Sequence, residues 1–189
     1  MLLENVRLSF PNLFVASSFS PDQAKKFSAT FIFDKDSDTA KAVMAEISRV
    51  AKERWGEKAE PTLKSLKAQN KLALRDGSEK ADKDGFGDSV YFVNASTDKR
   101  PGVYDRDRTP LSVEDGRVYA GCYVNAVVEF WAQSNQYGQR VNCSLKGVQF
   151  VRDGDPFGGA TPATADDFPA LEDMPVGTLT ADNDNTAWL

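Results

Sequence analysis

The sequence contains no histidine. Histidine is the commonest general base of enzymes and a frequent metal ligand, so its absence argues against much of enzyme chemistry. The GxxxxGK[ST] phosphate loop, the GxSxG nucleophile motif and the HExxH zinc motif are also missing. We therefore expect no enzyme, cofactor or metal. The clustered carboxylates of Asp98, Asp105 and Asp107 keep a magnesium-dependent nuclease as an alternative.

Cysteine and long apolar runs are scarce as well. Two cysteines, Cys122 and Cys143, do not make a disulfide framework, and both fall in strand-like segments, so we expect free, buried thiols in a reducing compartment. No apolar run approaches the roughly 18 residues of a membrane span, and the N-terminus lacks the pattern of a signal peptide. These features predict a cytoplasmic protein without membrane contact.

Negative charge dominates the chain, but it is unevenly distributed. The formal net charge is -5, yet all 23 basic residues precede residue 153, together with 20 of the 28 acidic residues. Residues 1–152 therefore carry about +3, and residues 153–189 carry -8. A basic body favours an anionic partner, and a separate acidic segment could compete with that partner for the body.

The C-terminal segment also differs in composition. Residues 153–189 are rich in Gly, Pro, Ala, Thr and Asp and show neither a helical nor a strand period, so we predict a disordered acidic tail. It is either a solubilising tail or a docking peptide for a protein partner. An apolar tip favours docking, with Asp182, Asp184, Trp188 and Leu189 as the expected contact residues.

Residues 1–152 predict a mainly β domain with one or two helices. Residues 4–10 and 27–33 alternate apolar and polar side chains, as strands do. In the first strand the inward face is predicted to hold Val6, Leu8 and Phe10. A helix is predicted over residues 38–56, begun by Ser37 or Asp38 and ended by Gly56, with a second short helix over residues 61–71.

The last two strands are predicted to pair as a hairpin. Residues 118–132 alternate with apolar side chains at every even position, and residues 139–152 continue the pattern after a polar turn. Gly147 is predicted to mark a β-bulge that returns Val148 and Phe150 to the core. The predicted core pairs are Phe130–Val141, Val128–Cys143 and Ala126–Leu145, and the predicted open-face pairs are Trp131–Arg140, Glu129–Asn142 and Asn125–Lys146.

The open face of this hairpin combines aromatic and cationic side chains. Bases stack on aromatic rings without sequence preference, and Lys or Arg neutralises phosphates, so this combination favours single-stranded nucleic acid. The alternative is that a helix covers the face and the rings form a second core layer. The predicted binding residues on the face are Arg7, Tyr119, Tyr123, Trp131, Arg140 and Lys146.

A second candidate region is the loop over residues 97–110. Four cations flank one tyrosine there, and Pro101, Gly102 and Pro110 predict irregular backbone. The loop could close over a phosphate backbone as a mobile arm, or its aspartates could pair with the arginines and leave a solvated loop. The candidate contacts are Lys99, Arg100, Tyr104, Arg106 and Arg108.

Four stretches of the chain resemble the phage single-stranded DNA-binding proteins first described as a domain of unknown function. They are ENVRLSFPNLF, SATFIFDKD, VYFVNASTDKRPGVYD and YAGCYVNAVVEFWA, in the same order over most of residues 1–152. The resemblance implies an OB-fold-like β-barrel, with a helix inserted after the second strand, that binds single-stranded DNA without sequence preference. It also implies a role in phage replication or recombination in the host bacterial cell, and a tail that contacts replication proteins.

Two other function classes remain open. One is the nuclease described above, and the other is a non-catalytic adaptor or structural β-barrel that recruits partners through its tail. The oligomeric state is also open, with a homodimer as one option.

Overall fold

The computed structural model describes residues 1–18 and 20–158, and in this part of the chain seven strands and two helices follow one another. The strands are β1 (Leu2–Ser17), β2 (Lys26–Asp34), β3 (Leu74–Asp76), β4 (Val90–Thr97), β5 (Gly102–Tyr104), β6 (Tyr123–Asn135) and β7 (Gly138–Arg152). The helices are α1 (Asp38–Trp55) and α2 (Ala59–Ala68). The predicted α+β class is confirmed, including the helix after the second strand.

Five of the strands close into a ring. Strand β1 pairs antiparallel with both β2 and β6, β2 pairs with β4, and β6 pairs with β7. The ring closes where β4 and β7 meet in parallel at Ser96 and Ser144. This order is the Greek-key topology of the OB-fold, which confirms the predicted OB-fold-like architecture.

Inward-facing apolar side chains fill the ring. Phe31 of β2, Val93 of β4, Val128 of β6 and Phe150 of β7 are among the buried side chains. Both cysteines are free and buried, as predicted. Because burial disfavours the thiolate, it raises the pKa of Cys143 to about 12. No helix in the described ranges is long and apolar enough to cross a membrane.

The helices begin and end where the sequence predicts. The Ser37 Oγ accepts a hydrogen bond from the Ala40 N–H at 3.1 Å, which caps the first turn of α1. Gly56 ends α1 with φ +56, a conformation that glycine adopts without steric strain. The second short helix is also confirmed, two residues earlier than predicted, as α2.

Strand β1 departs from its predicted alternation at Phe10. Val6 and Leu8 are buried as predicted, but Phe10 is 45% exposed and Ser9 is buried. The pairing with β2 shifts between Ser9 and Asn12, and Phe10 has φ +47. The expectation that Phe10 faces inward is therefore wrong, because a β-bulge turns its ring outward.

Candidate nucleic-acid interface

The β6–β7 hairpin is offset by two residues from the predicted register. Phe130 lies opposite Cys143, not Val141, because β6 continues as far as Asn135, which pairs with Gly138. A shift of two residues leaves each side chain on its predicted face. The observed pairs that replace the predicted ones are Phe130–Cys143, Val128–Leu145, Ala126–Val148, Trp131–Asn142, Glu129–Ser144, Asn125–Gln149 and Gln133–Arg140.

The predicted bulge at Gly147 is confirmed. The register slips by one residue between Leu145 and Gly147, which leaves Lys146 as the extra residue. Beyond the slip, Val148 and Phe150 return to the core.

The middle of the hairpin presents the predicted aromatic and cationic side chains to solvent. Trp131 is 43% exposed, and its Nε1 donates a hydrogen bond to Ser144 Oγ at 3.0 Å. Lys146 Nζ lies 2.7 Å from a carboxylate oxygen of Glu129, so its charge is already partnered. Arg140 is exposed and forms no ion pair with the residues that the structure describes. Trp131 is therefore partly open to solvent near an unpaired cation, with α1 residues lining the cavity beside it.

Tyr119 does not lie on this face. The strand begins at Tyr123, not at residue 118, because Gly121 has φ +107 and interrupts the extended backbone. The Tyr119 hydroxyl lies 3.0 Å from both Asp153 Oδ1 and the Gly154 carbonyl oxygen. Its ring packs against the core, and burial raises the pKa of Tyr119. The prediction that Tyr119 belongs to the open face is wrong.

A row of side chains crosses the outer face of the ring in register. Strand pairing aligns one residue from each of six strands: Arg75, Phe92, Ile32, Arg7, Tyr123 and Arg152. We call these residues the outer-face row. The guanidinium carbon of Arg152 lies 3.3 Å from the centre of the Tyr123 ring, and that of Arg7 lies 5.6 Å from it. Two cations therefore flank one aromatic ring, which is a favourable cation–π geometry.

Sequence reasoning found Arg7 and Tyr123 but missed Arg152. Simple alternation after Gly147 places Arg152 on the same side as Phe150, in the core. A second register slip lies between the pair Tyr123–Arg152 and the pair Val124–Phe150, and it turns Arg152 outward. No sequence signal marks this slip, so the alternation pattern could not have identified Arg152.

Residues 153–158, which the sequence assigns to the tail, pack on this row. We call them the docked segment. Nη2 of Arg7 donates a hydrogen bond to the Asp155 carbonyl oxygen at 2.8 Å and lies 3.9 Å from its carboxylate. The Phe157 ring centre lies 4.5 Å from the Arg7 guanidinium carbon, and the Phe157 N–H donates to the Ala120 carbonyl at 2.9 Å. The ordered body thus extends past residue 152.

Glycines make room for the docked segment. A Cβ at Gly121 would overlap the Asp155 carbonyl oxygen, and a Cβ at Gly85 would overlap the Phe157 ring. Both glycines have positive φ, +107 and +81, so a larger residue would be strained there as well. The fit indicates a specific packing site for these six residues. The tail contacts predicted for Asp182, Asp184, Trp188 and Leu189 lie outside the described residues.

The loop over residues 97–110 is anchored, which corrects the expected mobile arm. Its middle forms β5, which pairs in parallel with β7, Gly102 opposite Gly147 and Tyr104 opposite Gln149. A Cβ at Gly102 would overlap the hydroxyl end of the Tyr104 side chain, so this side chain packs over the glycine. Tyr104 remains 41% exposed.

The four cations of the loop fall into two separate groups. Lys99 and Arg100 precede β5, and the Arg100 guanidinium carbon lies 5.7 Å from the Phe14 ring centre. Arg106 and Arg108 follow β5 in a turn in which the Arg108 N–H donates to the Asp105 carbonyl at 3.0 Å. The two groups lie at opposite ends of β5, which pairs with β7.

The aspartates of the loop do not neutralise its arginines. Asp98 pairs with Lys26 at 3.2 Å and Asp105 with Arg117 at 3.3 Å. Asp107 accepts a hydrogen bond from the Thr109 N–H, which lowers the pKa of Asp107. Across residues 1–18 and 20–158, no three His, Cys, Asp or Glu side chains cluster as metal ligands would. Asp98, Asp105 and Asp107 therefore each interact with a different partner and do not form the metal-ligand cluster of the nuclease alternative.

Comparison with known proteins identifies the family and the fold of this chain. The family model of the Enterobacter phage Enc34 single-stranded DNA-binding protein matches residues 1–177. Protein p50 of Acyrthosiphon pisum secondary endosymbiont phage 1 is 43% identical over 172 residues, which cover 89% of this chain and 92% of that protein.

Two solved structures have the same fold. The single-stranded DNA-binding protein of bacteriophage Enc34, solved in complex with single-stranded DNA, superposes with a TM-score of 0.70 at 28% identity, covering 83% of this chain and 88% of that one. The single-stranded DNA-binding protein gp2.5 of bacteriophage T7 has a TM-score of 0.52 at 14% identity, covering 94% and 96%. At that identity the second match shows the fold alone.

Proposed function

We propose that this chain, which belongs to the Enterobacter phage Enc34 single-stranded DNA-binding protein family, coats single-stranded DNA without sequence preference during phage replication and recombination. It acts by binding alone, with no chemical step. Its phage relatives support a site of action inside the infected bacterial cell.

The outer-face row carries this proposal. The guanidinium groups of Arg7 and Arg152 both contact the Tyr123 ring on the outer face of the sheet, where the docked segment covers Arg7. Arg152 makes no ion pair with any residue that the structure describes, so its charge is available to a phosphate. Arginine offers several N–H donors in a planar group that suits phosphate oxygens. Tyr123 therefore positions the cations, while the cations contact the DNA backbone.

The hairpin extends the binding surface beyond the row. Trp131 provides an exposed ring for base stacking, and Arg140 provides a cation near it on the same face. Stacking on an aromatic ring is independent of base identity and contributes about 1–3 kcal/mol per base. Lys146 has a supporting role only, since Glu129 partners its charge. The row and the side chains of Trp131 and Arg140 lie toward the two ends of β6, and Asn125, Val127 and Glu129 separate them.

Residues near β5 form a further part of the proposed surface. Tyr104 is partly exposed, and Arg106 and Arg108 lie beyond it without carboxylate partners in the described part of the chain. Lys99 and Arg100, at the other end of β5, also have no carboxylate partner in the described part of the chain. Each group can contact phosphates independently of the other.

The docked segment and the acidic tail regulate access to this surface. Asp155 and Phe157 offer Arg7 an acceptor and a ring, the same two kinds of group that a nucleotide offers. DNA that uses Arg7 must displace them. Residues 159–189, with six more carboxylates, strengthen this competition by electrostatic attraction to the basic body. The tip residues Asp182, Asp184, Trp188 and Leu189 then recruit replication proteins.

One binding experiment separates the function classes. Labelled oligo-dT, oligo-rU and duplex DNA are titrated with the protein at several salt concentrations, with and without Mg²⁺, and the strands are then checked for cleavage. An intact bound single strand with a strong salt dependence supports the proposal. Cleavage in Mg²⁺ would instead support the nuclease, and no binding at any salt concentration would support the adaptor.

A further inference from the structure

Phe10 has an uncommon backbone conformation and lies on the outside of β1. An inward-facing phenylalanine is turned out of the ring by the β1 bulge and leaves 45% of its surface exposed. Its φ of +47 lies in the left-handed region, which an aromatic L-residue adopts at a steric penalty. Bulges that re-aim a side chain and residues held at such φ values are concentrated at functional sites. Phe10 therefore requires a functional interpretation.

The surroundings of Phe10 are aromatic and cationic. The Phe86 ring centre lies 6.2 Å from that of Phe10, and the Lys80 ammonium lies 4.7 Å from the Phe10 ring centre. Lys80 also lies 5.3 Å from Phe86 and 5.0 Å from Phe92, which belongs to the outer-face row. We call Phe10, Phe86 and Lys80 the Phe10 platform. Lys80 forms no ion pair with a carboxylate in the described ranges, so its ammonium group is the cation of the platform, although burial lowers the pKa of Lys80.

The platform lies next to the proposed DNA surface. A cavity of about 360 Å³ is lined by both Phe10 and Phe157 of the docked segment. Asp82 and Asp84 line it too, but Asp82 pairs with Lys83 at 3.0 Å and Asp84 accepts a hydrogen bond from the Gly158 N–H. Phe157 in turn contacts Arg7. The platform is carried by β1 and by the loop that precedes β4, beside the β2–β4 pair. This pair corresponds to the strand 2–strand 3 face with which OB-folds bind oligonucleotides.

We propose that the Phe10 platform is a second base-stacking site, in which one base of single-stranded DNA lies on the Phe10 ring beside the Lys80 ammonium. The site extends the binding surface past the docked segment, to the side opposite Trp131. This inference rests on the proposed function, because it assigns a base to a protein that binds single strands. Phe86 supports the ring of Phe10, and the bulge holds it outward.

The test separates stacking from charge and from folding. Labelled oligo-dT and an abasic strand of the same length and charge are titrated with wild-type protein and with Phe10→Ala, Phe10→Leu and Phe10→Trp. Thermal melting establishes that each variant is folded. Val15→Ala is the matched control, since Val15 is an exposed apolar residue on the same strand.

A stacking role predicts that Phe10→Ala and Phe10→Leu bind oligo-dT about 5- to 150-fold more weakly, the equivalent of about 1–3 kcal/mol. Both should bind the abasic strand as wild type does, while Phe10→Trp and Val15→Ala keep wild-type affinity for both strands. Wild-type affinity of folded Phe10→Leu for oligo-dT would overturn the inference. An equal loss on both strands would overturn it too, because it would show a structural role. If wild-type protein does not bind oligo-dT, the proposed function itself fails, and the inference fails with it.

Discussion

Removing the Phe157 ring should tighten the binding of single-stranded DNA. The ring lies 4.5 Å from the Arg7 guanidinium carbon and covers it, so DNA reaches Arg7 only after the docked segment moves. A cation–π contact at a partly exposed site contributes about 0.5–1 kcal/mol. Phe157→Ala therefore removes about that much of the competition, and the dissociation constant for oligo-dT should fall about 2- to 5-fold.

Binding is measured by fluorescence anisotropy of labelled oligo-dT at low salt. A double-mutant cycle compares Phe157→Ala, Arg7→Gln and the double variant Arg7→Gln/Phe157→Ala with the wild type. Arg7→Gln should abolish the gain, because the ring then covers no cation. Phe157→Tyr keeps the ring and is the matched control, with wild-type affinity expected. Weaker binding by Phe157→Ala would refute the reasoning, because it would show that Phe157 contacts DNA directly. Truncation after residue 158 measures the separate contribution of the six distal carboxylates, which added salt should weaken.

Three further predictions address the rest of the molecule. Trp131→Ala should weaken oligo-dT binding by about 1–3 kcal/mol with an unchanged melting temperature, and wild-type affinity would exclude stacking there. The double variant Arg106→Ala/Arg108→Ala should reduce the slope of log affinity against log salt by about 1.4, at about 0.7 per lost phosphate contact; an unchanged slope would show that neither touches DNA. The third concerns Asp76, whose pKa is held at about 2, mainly by a 2.6 Å hydrogen bond from the Lys35 ammonium. Since this folded-state pKa is depressed, the stabilisation is complete above the unfolded value of about 4 and is lost as the pH falls toward 2. Asp76→Asn should therefore lower the melting temperature at pH 7, and this deficit should shrink as the pH falls through about 2; a deficit of the same size at pH 2 as at pH 7 would contradict the assignment.

The architecture was predictable because it depends on periodicity. The two-residue period of β6 and β7 identifies their buried face, and a register error of two residues leaves that face unchanged. The helical period and its capping residues Ser37 and Gly56 place α1 in the same way. Patterns that repeat over many residues tolerate a local error, so the fold class follows from them.

The site was predictable only in part because it depends on interruptions of the pattern. One register slip turns Arg152 outward, and another turns Phe10 outward, against the alternation of their strands. The φ value of Gly121 removes Tyr119 from the hairpin face. Such interruptions arise from tertiary pairing, and a single-sequence pattern does not reveal them. The pairing of β5 with β7 is likewise a long-range contact that local composition does not indicate.

The docked segment determines where the acidic tail starts. The Gly158 N–H donates to Asp84 Oδ2 at 2.8 Å, which holds Gly158 beside the cavity that it lines together with Phe10. In the proposed competition, a tail that begins after Gly158 starts next to its target, and the effective concentration of such a tail falls only as about the −3/2 power of its length. Insertions and deletions within residues 159–189 should therefore alter competition with DNA far less than changes in charge do. Among relatives, tail length should be free to drift while the number of carboxylates stays under selection.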